Sequence, residues 1–312
     1  MQEMTVAQAA ERIINQVKKV IVGKDDVLLW VLTGILAQGH ILLEDIPGVG
    51  KTTMAIAFSR ALGLSHNRVQ FTPDVLPSDV TGYSVLEQGT GKMTYRPGAV
   101  LCNLFLADEL NRATSRTQSA LLEAMEENQV TVDGVSYRLP QPFVVIATQN
   151  PVGAAGTQLL PDSQIDRFMV RLSLGYPLPK DEVQMVLSRQ QAQPMAQVEQ
   201  VFDAEKLQFL QKTVAQTYVS EAVAEYVVKL IDATRRQQAL LRGASPRATL
   251  AVVAMAKAMA QLHGRDYVIP KDVQEILTVT LSHRLQAAPD TEDTPQDVLR
   301  QLIKNIPAPK LR

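Results

Sequence analysis

His40-Ile-Leu-Leu-Glu-Asp-Ile-Pro-Gly-Val-Gly-Lys-Thr-Thr53 decides the reading of this chain. A short apolar strand runs into a glycine loop, and the loop opens a helix at Lys51 and Thr52. With no side chain at Gly48 or Gly50, the backbone can turn sharply and aim its N–H groups inward. The free amides of the next helix add partial positive charge, which makes the turn a cradle for phosphate oxygens. Pro47, Gly48, Val49, Gly50, Lys51, Thr52 and Thr53 are therefore the expected phosphate-binding residues. Lys51 is placed to reach the β- and γ-phosphates of a nucleoside triphosphate, and the Thr52 hydroxyl to take one position on Mg²⁺. The usual pattern G-x-x-x-x-G-K-[ST] asks for glycine where this chain has Asp45. A carboxylate there lies near phosphates unless it points away, although Asp tolerates the left-handed backbone such a turn can require.

Leu101-Cys-Asn-Leu-Phe-Leu-Ala-Asp-Glu109 supplies the second signal, an apolar strand ending in two adjacent acids. Ligands of open parallel sheets gather beyond the carboxyl ends of the strands, so both acids are expected to face the phosphate loop. Asp108 is the expected Mg²⁺ residue, and Glu109 the one that polarises an attacking water.

Bulk composition narrows the classes. The chain has 312 residues, 46% of them hydrophobic, enough for two domains with cores of their own. Lys plus Arg number 31 against 32 Asp plus Glu, so no excess charge points to nucleic acid or an anionic membrane. Cys102 is the sole cysteine and lies in an apolar run, which excludes an internal disulfide and suits a reducing compartment. His40, His66, His263 and His283 have no ligand spacing and read as surface or capping residues. The longest nonpolar stretch, from Val27 to Ala37, is too short to span a bilayer, and no leader pattern opens the chain; a cytoplasmic protein without membrane insertion is expected.

Periodicity predicts strands at about 40–44, 68–72, 101–107, 142–148 and 169–174, with helices between most of them, notably Thr52 to Leu62 and Ser115 to Glu127. Strands alternating with helices predict a mostly parallel sheet covered on both faces. Two hairpins interrupt the alternation, one around Gln88-Gly-Thr-Gly91 and one around Asp133-Gly134. Gly175-Tyr-Pro-Leu-Pro179 ends the α/β region, and helix follows almost to the terminus. The best-marked helix has Ser245 as its cap and Pro246 at its first position, and stops at Gly264. A second opens at Pro270 and carries Val273, Ile276, Leu277 and Leu281 on one face.

Assembled in this way, the chain resembles the MoxR family of AAA+ ATPases over nearly its whole length. The likeness is carried by Leu43-Glu-Asp-Ile-Pro-Gly-Val-Gly-Lys-Thr52, Phe71-Thr-Pro-Asp-Val-Leu-Pro-Ser-Asp79, Ala107-Asp-Glu-Leu-Asn-Arg112, Gln118-Ser-Ala-Leu-Leu-Glu-Ala-Met-Glu-Glu127, Ala147-Thr-Gln-Asn-Pro151 and Asp166-Arg-Phe168. That family tends to carry Glu-Asp at the start of its loop, as Glu44-Asp45 does here. The resemblance implies a P-loop NTPase core of the AAA+ type at 1–176, α/β with a five-stranded parallel sheet, a helix-two insert hairpin and a pre-sensor hairpin. An all-α lid at 177–312 is implied to follow. It further implies a ring, usually a hexamer, with ATP and Mg²⁺ between neighbouring subunits.

The remaining site residues come from that resemblance. Asn150 matches the polar residue that helps place the attacking water. Arg167 matches the arginine that reaches a neighbour's nucleotide, and Arg247 the lid arginine that contacts the γ-phosphate. Ile21, Val22 and Gly23 match the segment packed on adenine; Gln70 is a candidate restraint on Glu109, and Arg112 a candidate contact to the next subunit. The implied activity is ATP hydrolysis coupled to remodelling, maturing or activating a protein complex, with a protein client or a von Willebrand factor A domain partner. The alternatives are a slow, nucleotide-gated binding scaffold and, third, a DNA-acting ring, against which the balanced charge weighs.

Overall fold

The computed structural model describes residues 4–46, 48–89, 91–150, 160–191 and 194–310. Two helices, α1 (Val6–Val17) and α2 (Asp25–Leu36), precede the sheet, and Thr5 closes a capping box on α1 with Gln8. The sheet strands are β1 (Ile41–Glu44), β2 (His66–Gln70), β5 (Leu104–Asp108), β8 (Val144–Gln149) and β9 (Val170–Leu172). They are all parallel, in the order β2-β5-β8-β1-β9. The fold is the α/β class the alternation predicts, with the end strands starting or stopping a few residues from the sequence estimate.

Alternation along the strands separates two cores. Ile41, Leu43, Leu104, Leu106, Val144, Ile146, Val170 and Leu172 face α1, α2, α3 (Lys51–Ala61) and the later helices. Leu42, Phe105, Ala107, Val145 and Ala147 face the other way, onto α5 (Ser115–Glu127). A period of two with both faces apolar is what a sheet buried on both sides requires.

Both expected hairpins form. After α4 (Pro77–Thr81), β3 (Gly82–Leu86) pairs with β4 (Met93–Pro97), and β6 (Gln129–Val132) pairs with β7 (Val135–Arg138). Asp133 and Gly134 both take positive φ, 50° and 78°, the primed turn the dipeptide favours. The hairpins touch: the rings of Tyr95 and Tyr137 stack with centroids 3.8 Å apart and planes 12° from parallel.

Following α6 (Asp162–Ile165), β9 and the Gly175–Pro177 bend, the chain forms α7 (Pro179–Gln191), α8 (Ala204–Ala215), α9 (Glu221–Arg236), α10 (Pro246–Leu262), α11 (Pro270–Leu281) and α12 (Pro295–Asn305). Ser245 caps α10 by accepting from Ala248 N–H at 3.2 Å, and Gly264 follows it with φ 74°. Val273, Ile276, Leu277 and Leu281 are fully buried, as their spacing predicts. The lid also holds a short antiparallel ribbon of β10 (Leu240–Arg242) and β11 (Gln286–Ala287), an addition to its helices. Its core is continuous with that of α1 and α2.

Three placements differ from expectation. His40 and His283 are buried, not superficial: His40 Nδ1 accepts from Val145 N–H at 3.0 Å and its Nε2 meets the Met125 carbonyl at 3.1 Å, while His283 Nε2 meets the Phe168 carbonyl at 3.0 Å. Burial pushes the His40 imidazole down to about 4. Cys102 lies in the turn ahead of β5, buried, with its thiol pushed up to about 11 by burial. Among the described residues no helix is long and apolar enough to cross a membrane, and no cluster of His, Cys, Asp and Glu has the makings of a metal centre.

Candidate functional site

The expected phosphate loop leaves the carboxyl end of β1 and enters α3. Gly48 and Gly50 have φ of 87° and 99°, left-handed values that explain glycine at both positions. Pro47 lies outside the described residues. Asp45 is turned away from the cradle: its carboxylate accepts from Ser173 Oγ at 2.7 Å, Leu174 N–H at 2.6 Å and Gly175 N–H at 3.0 Å. It therefore ties the loop to the segment behind β9, and the departure from glycine at 45 is a latch. Lys51 Nζ donates to the carbonyls of Asp45 and Ile46 at 2.6 and 3.3 Å. Partial burial lowers its pKa, and Asp45, Asp108 and Glu109 oppose that effect.

A cavity of about 310 Å³ opens beside Gly48, Val49, Gly50 and Thr53, walled by Ile21, Val22 and Tyr176. It places the expected adenine segment next to the expected phosphate loop. Gly23 has φ 71°, a left-handed value that favours glycine, and a Cβ there would lie 2.0 Å from the Asp181 carboxylate and push that side chain aside.

The acids converge on the same edge. Asp108 Oδ1 accepts from Thr148 Oγ1 at 2.6 Å, and Asp108 Oδ2 lies 3.4 Å from Thr52 Oγ1. The same Oδ2 accepts from Arg68 Nη2 at 2.7 Å and Nε at 3.2 Å. A hydroxyl and a carboxylate oxygen facing each other beside a phosphate cradle are the hard oxygen donors Mg²⁺ takes, so these residues fit that ion.

Glu109 has φ 56° and ψ 44°, a left-handed conformation uncommon for a residue with a side chain. Its N–H donates to Thr148 Oγ1 at 2.9 Å, so one threonine braces both acids. Its carboxylate accepts from Arg112 Nη1 at 2.7 Å and from Asn150 Nδ2 at 3.2 Å. The Arg112 hydrogen bond holds the Glu109 carboxyl below the usual range, against its partial burial, with help from Asn150 and Gln70. Gln70 is thus beside Glu109 as expected, whereas Arg112 is engaged within its own chain. Asn111 fixes Asn150 from both sides, Oδ1 accepting its N–H at 3.4 Å and Nδ2 donating to its carbonyl at 3.3 Å.

Arg167 and Arg247 do not join this group. Both pair with Glu126 near the end of α5, Arg167 at 2.9 Å and Arg247 in a closer contact. Glu126 follows Met125, whose carbonyl meets His40 at the amino end of β1. The two arginines therefore lie toward the opposite edge of the sheet from the phosphate loop, beside a cavity of about 440 Å³ that they line with His40 and Glu126. Asp166 holds their two segments together: its Oδ2 accepts from Ser245 Oγ at 3.1 Å, and Arg284 lies 3.6 Å from its Oδ1.

Sequence reasoning missed Arg68, Thr148, Asn111 and Glu126. The signal for the first was faint but present, since Arg68 and Gln70 alternate on one face of a strand that pairs in register with the acid strand, Gln70 opposite Asp108.

Residues 40–170 match the ATPase family associated with various cellular activities, and residues 232–302 match the AAA lid domain. A protein of Bacillus subtilis, uncharacterized YeaC, is 42% identical over 96% of this chain and 94% of its own length. Chaperone MoxR1 of Mycobacterium tuberculosis is 39% identical over 96% of this chain and 82% of its own. The crystal structure of a candidate ATPase from Cytophaga hutchinsonii superposes with a TM-score of 0.89 at 33% identity, over 98% of this chain and 96% of that one.

Proposed function

The chain belongs to the MoxR family of AAA+ ATPases, and from that footing we propose that it hydrolyses ATP between neighbouring copies in a ring and spends the cycle on remodelling a protein client. One observation carries this reading: the groups that bind phosphate and activate water sit at one edge of the sheet, and the two arginines suited to a developing phosphoryl charge sit toward the other. A single copy thus holds two halves of a site that face away from each other. A closed ring brings the arginine half of each copy to the loop half of the next.

In the assembled site, Gly48, Gly50 and the first amides of α3 receive the phosphates, and Lys51 turns from the Asp45 and Ile46 carbonyls to the β- and γ-oxygens. Thr52 and Asp108 would hold Mg²⁺, which would supply charge neutralisation to the phosphates. Glu109 takes the proton of the attacking water, and Asn150 sets that carboxylate's direction. Arg112 and Gln70 keep Glu109 occupied until the site is complete, which limits hydrolysis by an isolated copy. Arg167 and Arg247 leave Glu126 for the neighbour's γ-phosphate. Ile21, Val22 and Gly23 receive the adenine. The two hairpins contact the client, and the relative named as a chaperone supports a client-directed use.

Steady-state turnover measured over a range of protein concentrations tests this. Turnover per copy should rise with concentration and vanish in Glu109→Gln while ATP binding persists. Tight ATP binding without turnover would replace the remodelling ring with a nucleotide-gated scaffold.

A further inference from the structure

Asp108 faces three partners, and one of them competes with its expected metal. Oδ1 is taken by Thr148. Oδ2, the oxygen turned towards Thr52, also carries the Arg68 guanidinium through two hydrogen bonds of 2.7 and 3.2 Å. Lys51 is turned onto carbonyls, so Arg68 is the cation in direct contact with this acid. The pair is lopsided: the Arg68 side chain is 46% exposed and that of Asp108 is 12% exposed. The carboxylate is reached by little water, whereas the guanidinium, on edge strand β2, can swing out and be hydrated.

We propose that Arg68 is an internal counter-ion of Asp108 that is exchanged for the divalent cation when nucleotide binds. A carboxylate oxygen cannot serve a guanidinium and a nearby divalent ion at full strength, because the two cations repel at such short range. With Arg68 in place, the buried Asp108 carboxylate is compensated when no divalent ion is bound. The cost is a weaker grip on the metal, so Arg68 sets the concentration of divalent ion at which the site fills. It is a positioning residue, acting through Asp108, and the inference rests on the assignment of Thr52 and Asp108 to the metal.

The test uses the full chain with ADP, so that no turnover is needed, and Mn²⁺ as the probe, with free ion read from its electron paramagnetic resonance signal. Arg68→Gln should bind Mn²⁺ in the ADP complex about tenfold more tightly than wild type, the scale of one lost charged hydrogen-bond pair. Arg68→Lys, which keeps the charge but not the fork, should fall between them and decides the matter if the Gln variant folds poorly. In an Asp108→Asn background the Arg68 substitution should have no effect. Equal or weaker Mn²⁺ binding in both Arg68 variants, with Asp108→Asn still impaired, overturns the exchange and leaves the metal assignment standing. Unchanged Mn²⁺ binding in Asp108→Asn overturns the metal assignment itself, and the exchange with it.

Discussion

Replacing Asp45 by alanine removes the latch between the phosphate loop and the segment behind β9. Three hydrogen bonds are lost, from Ser173 Oγ, Leu174 N–H and Gly175 N–H. They are not equal. Ser173 is exposed and Gly175 half-buried, so water recovers most of what they lose, but Leu174 is only 4% exposed and its N–H has no ready substitute. An unsatisfied buried donor costs about 1–3 kcal/mol, so Asp45→Ala should destabilise the fold by roughly 2–3 kcal/mol. Asp45→Asn keeps one acceptor oxygen and should cost about half as much, and Ser173→Ala less than about 1 kcal/mol. Urea denaturation with an unchanged slope gives these differences directly. ATP affinity should fall in parallel, because the loop that leads into Lys51 is no longer anchored. An Asp45→Ala protein within about 0.5 kcal/mol of wild type would refute the latch, since that is the range of a surface substitution that touches nothing.

Other outcomes follow from buried groups and from the hairpins. His40 titrates near 4 in the folded chain against an ordinary 6.5, so its stabilising contribution is present above pH 6.5 and is lost as pH falls towards 4, because the unfolded chain takes up a proton the folded one refuses. Lowering pH from 7 to 5 should cost about 2 kcal/mol through this group, visible as a smaller pH slope of the urea midpoint in His40→Gln; identical slopes would remove His40 from the account. Tyr137→Ala breaks the stack with Tyr95 and should speed amide exchange in the other hairpin, residues 82–97, as well as its own. Exchange altered only between 129 and 138 would mean the hairpins move independently. Gly23→Ala should weaken ATP binding by straining the left-handed backbone at 23 and displacing the Asp181 side chain; unaltered affinity would count against that segment as the adenine wall.

Much of this molecule is written locally. The glycine loop, the paired acids, the Asp133-Gly134 turn and the Ser245-Pro246 start of α10 each depend on neighbours in sequence, and each forms where local chemistry puts it. What sequence reading missed depends on distance along the chain. Asp45 is satisfied by residues about 130 positions away, and Arg68 by an acid 40 positions on, so neither partner leaves a local trace. The buried histidines escaped for the same reason: a histidine looks the same in sequence whether its ring faces water or the carbonyl of a residue 85 or 115 positions away. The lid ribbon is two to three residues per strand, too short for any periodicity to register. Arg247 was legible as a residue at the start of a helix, but its place beside Arg167 on Glu126 is a fact of tertiary packing.

Shared catalysis is tested most directly by mixing two inactive proteins. Arg167→Ala keeps an intact loop and acids, and Glu109→Gln keeps an intact arginine edge. If each site draws on two copies, an equimolar mixture allowed to exchange subunits should recover about a quarter of wild-type turnover, the fraction of contacts that pair a good loop with a good arginine. A mixture as inactive as its components, under conditions where wild-type subunits demonstrably exchange, would contradict the account.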